Sequence, residues 1–148
     1  MNYWFECKVS YERQADDVGM KKVTETYLVD ALSFTEAEER IIKEIQPFVS
    51  IGELEVVNIK RVKIAELLLN ANEVEDRYFR ARVNFITIDE KSGSEKRTTV
   101  TMIVKSASLP GAVSVLIDEL EKQLGTYEIA SVSDTQILDV FAYGAPQS

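Results

Sequence analysis

Two stretches of this chain, WFECKVSY at residues 4–11 and YFRARVNF at residues 78–85, share one form: an aromatic residue, then apolar and polar side chains in alternation. A period of two is that of a half-buried strand. It places Phe5, Cys7, Val9 and Tyr11 on one face, and Phe79, Ala81, Val83 and Phe85 on one face of the second stretch. Each is followed by a polar segment holding a glycine, ERQADDVGMKK or DEKSGSEKR, and then by a β-branched run, VTETYLV or TTVTMIV. That succession predicts a β-hairpin in each half.

The parallel continues. DALSFTEAEERIIKEI and KSASLPGAVSVLIDEL align without a gap, from Asp30 against Lys105 to Ile45 against Leu120. Ser33 and Ser108 stand where a helix cap is needed, and Glu36 completes a capping box with Ser33; Thr35 is an equal candidate for the first cap. Ala37, Ile41, Ile45 and Phe48 form one apolar stripe, and Ala112, Leu116, Leu120 and Leu124 another, as in amphipathic helices laid across a sheet. Each half closes on a related stretch, EVVNIKRVKIAELL from Glu55 and EIASVSDTQILDVF from Glu128, whose apolar parity shifts partway. A strand that bends or breaks near residues 60 and 133 is expected there. The reading is an α+β fold of two tandem ββαβ or ββαββ repeats related by pseudo-twofold symmetry, with mainly antiparallel sheet and one helix per repeat. The boundaries are 1–69 for the first repeat, 70–76 for an acidic linker (NANEVED), 77–143 for the second repeat and 144–148 for a frayed tail. Repeats this small are expected to pack as one globular unit, as one continuous sheet or as two.

Composition narrows the chemistry. Of 148 residues, 45% are hydrophobic and 28% charged, which is globular, and the net charge of −8 repels phosphate backbones and anionic lipid. Only a local basic patch leaves a route to nucleic acid. Acids and bases interrupt the apolar residues near the amino terminus, so no signal peptide is read, and no apolar run has the length of a membrane span. One cysteine and no histidine are present. The lone thiol fits a reducing compartment, so cytoplasmic residence is expected. Lack of histidine removes the usual general base, the Ser-His and Cys-His pairs and the commonest zinc ligand. A non-enzyme without metal or cofactor is therefore expected. Cys7 reads as packing, because its counterpart is Ala81. Asp16, Asp17, Glu73, Glu75, Asp76, Asp89 and Glu90 fall in loops without the spacing of a metal site and read as solvated turn residues.

Three sets of residues remain as binding candidates. Gly19 precedes Lys21 and Lys22, and Gly93 precedes Lys96 and Arg97; two such tips would grip an anion, with the glycines letting backbone approach closely. Trp4 and Lys8, with Tyr78, Arg80 and Arg82, occupy the outward parity of the first strands and would make an aromatic and basic face able to stack a base. The plainer account of both is solubilising turn charge and edge protection. Val113, Val115 and Ile117 widen the apolar face of the second helix, which marks it for contact between the halves or for a homodimer interface.

The stretches WFECKVSYE, KKVTETYLVDALSFTEAEERI, FITIDEKSGSEK and IASVSDTQILDVFAY resemble a domain-of-unknown-function family of Bacteroides-type gut bacteria and their phages and mobile elements. The resemblance runs from Trp4 to about Tyr143. It implies a cytoplasmic accessory protein of phage origin and brings no catalytic residues. The function expected is a non-catalytic binding protein that engages a protein partner or sequesters a small anionic, nucleotide-like ligand. The alternative is a replication or recombination accessory that binds single-stranded nucleic acid.

Overall fold

The structure is a computed structural model, and it describes residues 3–15 and 19–142. Asp16, Asp17 and the tail 144–148 lie outside the described residues. The elements in chain order are β1 (Tyr3–Ala15), β2 (Gly19–Ala31), α1 (Phe34–Ile45), a 3-10 turn (Gln46–Phe48), β3 (Ile51–Val62), β4 (Glu66–Leu68), β5 (Arg77–Ile88), β6 (Glu95–Ser106), α2 (Leu109–Leu120), β7 (Thr126–Asp134) and β8 (Ile137–Phe141). The fold is α+β, with two separate four-stranded sheets in the orders β3-β1-β2-β8 and β4-β6-β5-β7. Hairpins β1/β2 and β5/β6 are antiparallel, as are β1/β3 and β5/β7; β2/β8 and β4/β6 are parallel.

The closing stretches do break in two, a little later than expected, at residues 63–65 and 135–136. The short strand released by each break pairs away from its own half. β4 joins β6, with Leu67 opposite Ile103, and β8 joins β2, with Val140 opposite Leu28. The chain accordingly divides into two compact units, one of residues up to Lys63 together with those from Gln136 onward, the other Ile64–Thr135. The stretch 70–76 connects β4 to β5 inside the second unit.

Each sheet buries one face beneath its helix. In the first unit Phe5, Cys7, Val9, Tyr11, Tyr27, Val29 and Ala31 pack against Ala37, Ile41 and Ile45. In the second, Phe79, Ala81, Val83, Met102 and Val104 pack against Ala112, Leu116 and Leu120. The inward parity of both quoted stretches is therefore core, with Phe85 at its margin. The two helical stripes end sooner than the sequence pattern suggests: Phe48 is 70% exposed, and Leu124 fully so. α1 gives way to a 3-10 turn at Gln46–Phe48, whose tighter winding rotates Phe48 off the stripe, and α2 ends at Leu120, four residues before Leu124.

Both serine caps form. Ser33 Oγ accepts from the Glu36 amide at 3.1 Å and Ser108 Oγ from the Gly111 amide at 3.2 Å, so Thr35 is not the cap. Glu36 reaches back to accept from the Leu32 amide at 3.2 Å, one residue beyond the usual capping-box partner, the Ser33 amide. Arg40 ties α1 to the end of β2 through the Asp30 carboxylate at 2.6 Å, a half-buried pair.

Candidate functional site

The sheet faces away from the helices carry most of the basic residues singled out above. In the second sheet β5 lies between β6 and β7, so its outward residues Arg80, Arg82 and Asn84 each have a neighbour on both sides. Arg80 stands opposite Ser133 and Ile103, Arg82 opposite Ser131 and Thr101, and Asn84 opposite Glu128 and Thr99. Directly opposed side chains in antiparallel sheet have Cβ atoms about 5 Å apart, within reach of a single small ligand. Arg82 is exposed and has no ion-pair partner among the described residues. It thus presents a guanidinium between two hydroxyls. The register depends on a bulge: pairing shifts between Arg82 and Val83, which leaves Ala130 extra and brings Ser131 beside Arg82. Asn84 is fixed by the Thr99 hydroxyl, which donates to its side-chain oxygen at 2.6 Å.

Tyr78 departs from expectation. It shares the outward parity of Arg80 and Arg82, yet it is 5% exposed, so it offers no stacking surface. On β1, Trp4 is half-buried and Lys8 exposed, with Thr26 and Asn58 beside Lys8 and Glu6 between the two. The acid makes this face less suited to an anion than that of β5.

Each basic hairpin tip belongs to its own unit. Gly19 and Gly93 both adopt φ +73°, a left-handed conformation that glycine takes without strain, and both are open to solvent. Lys21 and Lys22 are exposed, and Lys22 faces Glu55 at 3.8 Å. Lys96 and Arg97 are exposed, and Arg97 faces Glu128 at 3.6 Å. Each tip therefore offsets part of its own charge. On α2, Val115 packs into the core of its own unit, Val113 is half-buried, and Ile117 is 38% exposed.

Two features were not read from the sequence. Glu25 lies at the edge of the first core with its side chain 12% exposed, 3.7 Å from Arg13. The hydroxyls of Tyr11 and Tyr27 both donate to its Oε1, at 2.7 and 2.9 Å. Burial, then the bond to the Glu25 carboxylate and its charge, push both phenols above their ordinary value. The second is a groove of about 360 Å³ between the start of α1 and β3, lined by Phe34, Glu38, Val56, Val57 and Ile59 among others. Alternation on β1 gave no sign of Glu25, since it lies on the partner strand of the hairpin.

Cys7 is fully buried and its thiol is pushed up to about 12, first by desolvation and then by the charge of Glu6, so at neutral pH it is neither thiolate nor accessible. Among the described residues no group of three or more Asp, Glu or Cys side chains is placed to hold a metal ion. No helix of the described residues is long and apolar enough to cross a membrane.

Two four-stranded sheets, each with one helix against one face, define an α+β fold. The chain belongs to the family described as Domain of unknown function (DUF4494), which matches residues 3–143. Searches of curated proteins and of solved structures return no match.

Proposed function

We propose that this protein is a non-catalytic binding protein whose ligand is a small anion of the phosphate or nucleotide class, held on the helix-free face of the second sheet. The observation that carries this reading is Arg82, an exposed guanidinium without an ion-pair partner among the described residues, set in register between Ser131 and Thr101. A guanidinium gives two parallel donors to a phosphate, and flanking hydroxyls give further donors without adding charge. Lys105, whose ammonium donates to the Asn70 carbonyl, adds positive charge along the same face. Supporting a duplicated origin are the gapless match of the helical segments and the shared strand order, in which β7-β5-β6-β4 repeats β3-β1-β2-β8. Cytoplasmic residence and a phage-borne origin belong to the same proposal and rest on the single buried thiol and on the sequence resemblance.

Titration calorimetry against pyrophosphate, nucleoside triphosphates and cyclic nucleotides tests the reading. At least one should bind, and Arg82→Ala should weaken it by about tenfold or more, the worth of one charged hydrogen-bonded contact. Flat traces across the panel, or binding indifferent to Arg82→Ala, would overturn it. The single-stranded nucleic-acid reading ranks lower, because it needs Tyr78 as a stacking platform and Tyr78 is buried.

A further inference from the structure

Among the described residues β3 is the outer strand of the first sheet and pairs only with β1, so its other edge presents amides and carbonyls without a strand partner along Ile51–Val62. An edge this long invites pairing with another strand. Its charges are segregated: Glu53 and Glu55 precede Val57, and Lys60 and Arg61 follow it, all exposed. A strand laid antiparallel with the same sequence meets opposite charge at both ends. We infer that β3 pairs antiparallel with β3 of a second copy of this chain, joining the two first-unit sheets of a homodimer into one.

The bulge at Val57 is consistent with that register. Pairing to β1 shifts there, Lys8 opposing Asn58 while Val9 opposes Val56. As a result the helix-side residues of β3 are Leu54 and Val56 before the bulge and Ile59 after it. In a regular strand Val56 and Ile59 would face opposite ways. With the two-fold axis through the bulge, Val56 opposes Ile59 of the second copy on the helix side, and Glu55 opposes Lys60 of the second copy on the other. Without the bulge those faces would clash in parity. Apolar surface sits at the same point: Val57 is 49% exposed and Phe34, across the groove, 52%. Edge charges and bulges also serve to repel unwanted strands. Charges that only repel need no order along the strand, whereas here acid and base are sorted about one point. The outer strand of the second sheet, β7, has no such sorting, since Thr126–Asp134 carries Glu128 and Asp134 and no base. It has nothing to answer a copy of itself.

Sedimentation velocity of the full chain over a concentration series, with Glu55→Lys, Lys60→Glu and the double reversal, tests the interface. The wild type should associate to a dimer, and each single reversal should weaken it by about tenfold or more, because each places two pairs of like charges across the axis. The double reversal should restore association to near the wild-type value. Glu55 also faces Lys22 of its own chain, so circular dichroism of each variant separates loss of pairing from loss of fold. A wild type that stays monomeric to hundreds of micromolar would overturn the inference. So would a dimer indifferent to both single reversals, or a folded double reversal that does not recover.

Discussion

Tyr27→Phe removes one hydroxyl from the Glu25 cluster and makes a prediction in two parts. At neutral pH the variant loses a donor to a carboxylate whose side chain is only 12% exposed. Hydrogen bonds to charged groups contribute about 1.5–3 kcal/mol, and the lower end applies because Tyr11 still serves the same oxygen, at 2.7 Å. A loss of about 1.5 kcal/mol is expected. The second part is pH dependence. An unfolded tyrosine ionises at its ordinary value of 10.0, whereas burial, together with the Glu25 carboxylate, holds the Tyr27 proton above that in the fold. The folded state therefore binds more protons than the unfolded one above that pH. The stability linked to this group is fully present below pH 10 and is lost as the pH rises through the folded value, by at most about 1.4 kcal/mol per pH unit. The phenylalanine variant lacks that loss. Urea unfolding followed by circular dichroism, at about pH 7 and in steps from about pH 9.5 upward, should show a gap that narrows with alkalinity. Tyr11, also raised, keeps its bond to Glu25 in both proteins, and because the two phenols share that oxygen its own alkaline loss is read in a Tyr11→Phe control. A gap that stays constant across the range, or a variant as stable as the wild type at neutral pH, would refute the account of the cluster.

Ser33→Ala should cost about 1 kcal/mol in chemical denaturation, through loss of the bond to the Glu36 amide, while Thr35→Ala should cost only a few tenths. Equal effects would contradict the cap assignment. Gly111→Ala sets two effects against each other: alanine favours the helix by about 1 kcal/mol, but its Cβ would lie 2.5 Å from the buried Ser106 Oγ. Net destabilisation is expected, turning to a gain in the Ser106→Ala background, and a gain in the wild-type background would show that Ser106 simply turns aside.

The sequence was most informative where one face of a strand or helix is buried by neighbours close in the chain. Alternation in residues 5–11 and 79–85 identified the inward faces, because a period of two leaves only one parity for the core. The serine caps were legible for the same reason, their partners lying three residues away. Long-range pairing was not. β4 and β8 are three and five residues long, too short for periodicity to speak, and what fixes them is a parallel partner in the other half of the chain. Tyr78 was misplaced by the same logic: parity gives the face of a strand, but whether that face is wet depends on packing that alternation does not encode. Of the candidate anion site, Arg80 and Arg82 were legible as outward residues of β5. Ser131 and Thr101 were not, since their place beside Arg82 follows from the strand order and from a bulge at Ala130.

The two halves differ where the proposed contacts lie. Aligned through the hairpins, Tyr11, Glu25 and Tyr27 correspond to Phe85, Val100 and Met102, so the first core holds a polar cluster where the second is apolar. Lys8 and Arg82 correspond as well, but Lys8 has Asn58 and Thr26 beside it, and Thr26 is buried, whereas Arg82 has Ser131, which is exposed. The outer strands diverge in the same sense, β3 sorted into acid and base and β7 acidic with both its acids already paired, Glu128 to Arg97 and Asp134 to Arg77. Under the two proposals, one half keeps its edge for a second copy and the other keeps its face for a ligand. Residues serving the two roles then sit on different sheets with no shared strand. Substitutions that share no partner act additively as a rule. Charge reversal at Glu55 should leave anion affinity unchanged, and Arg82→Ala should leave association unchanged. Coupling between the two would mean that one surface serves both, which the division of roles between the halves does not allow.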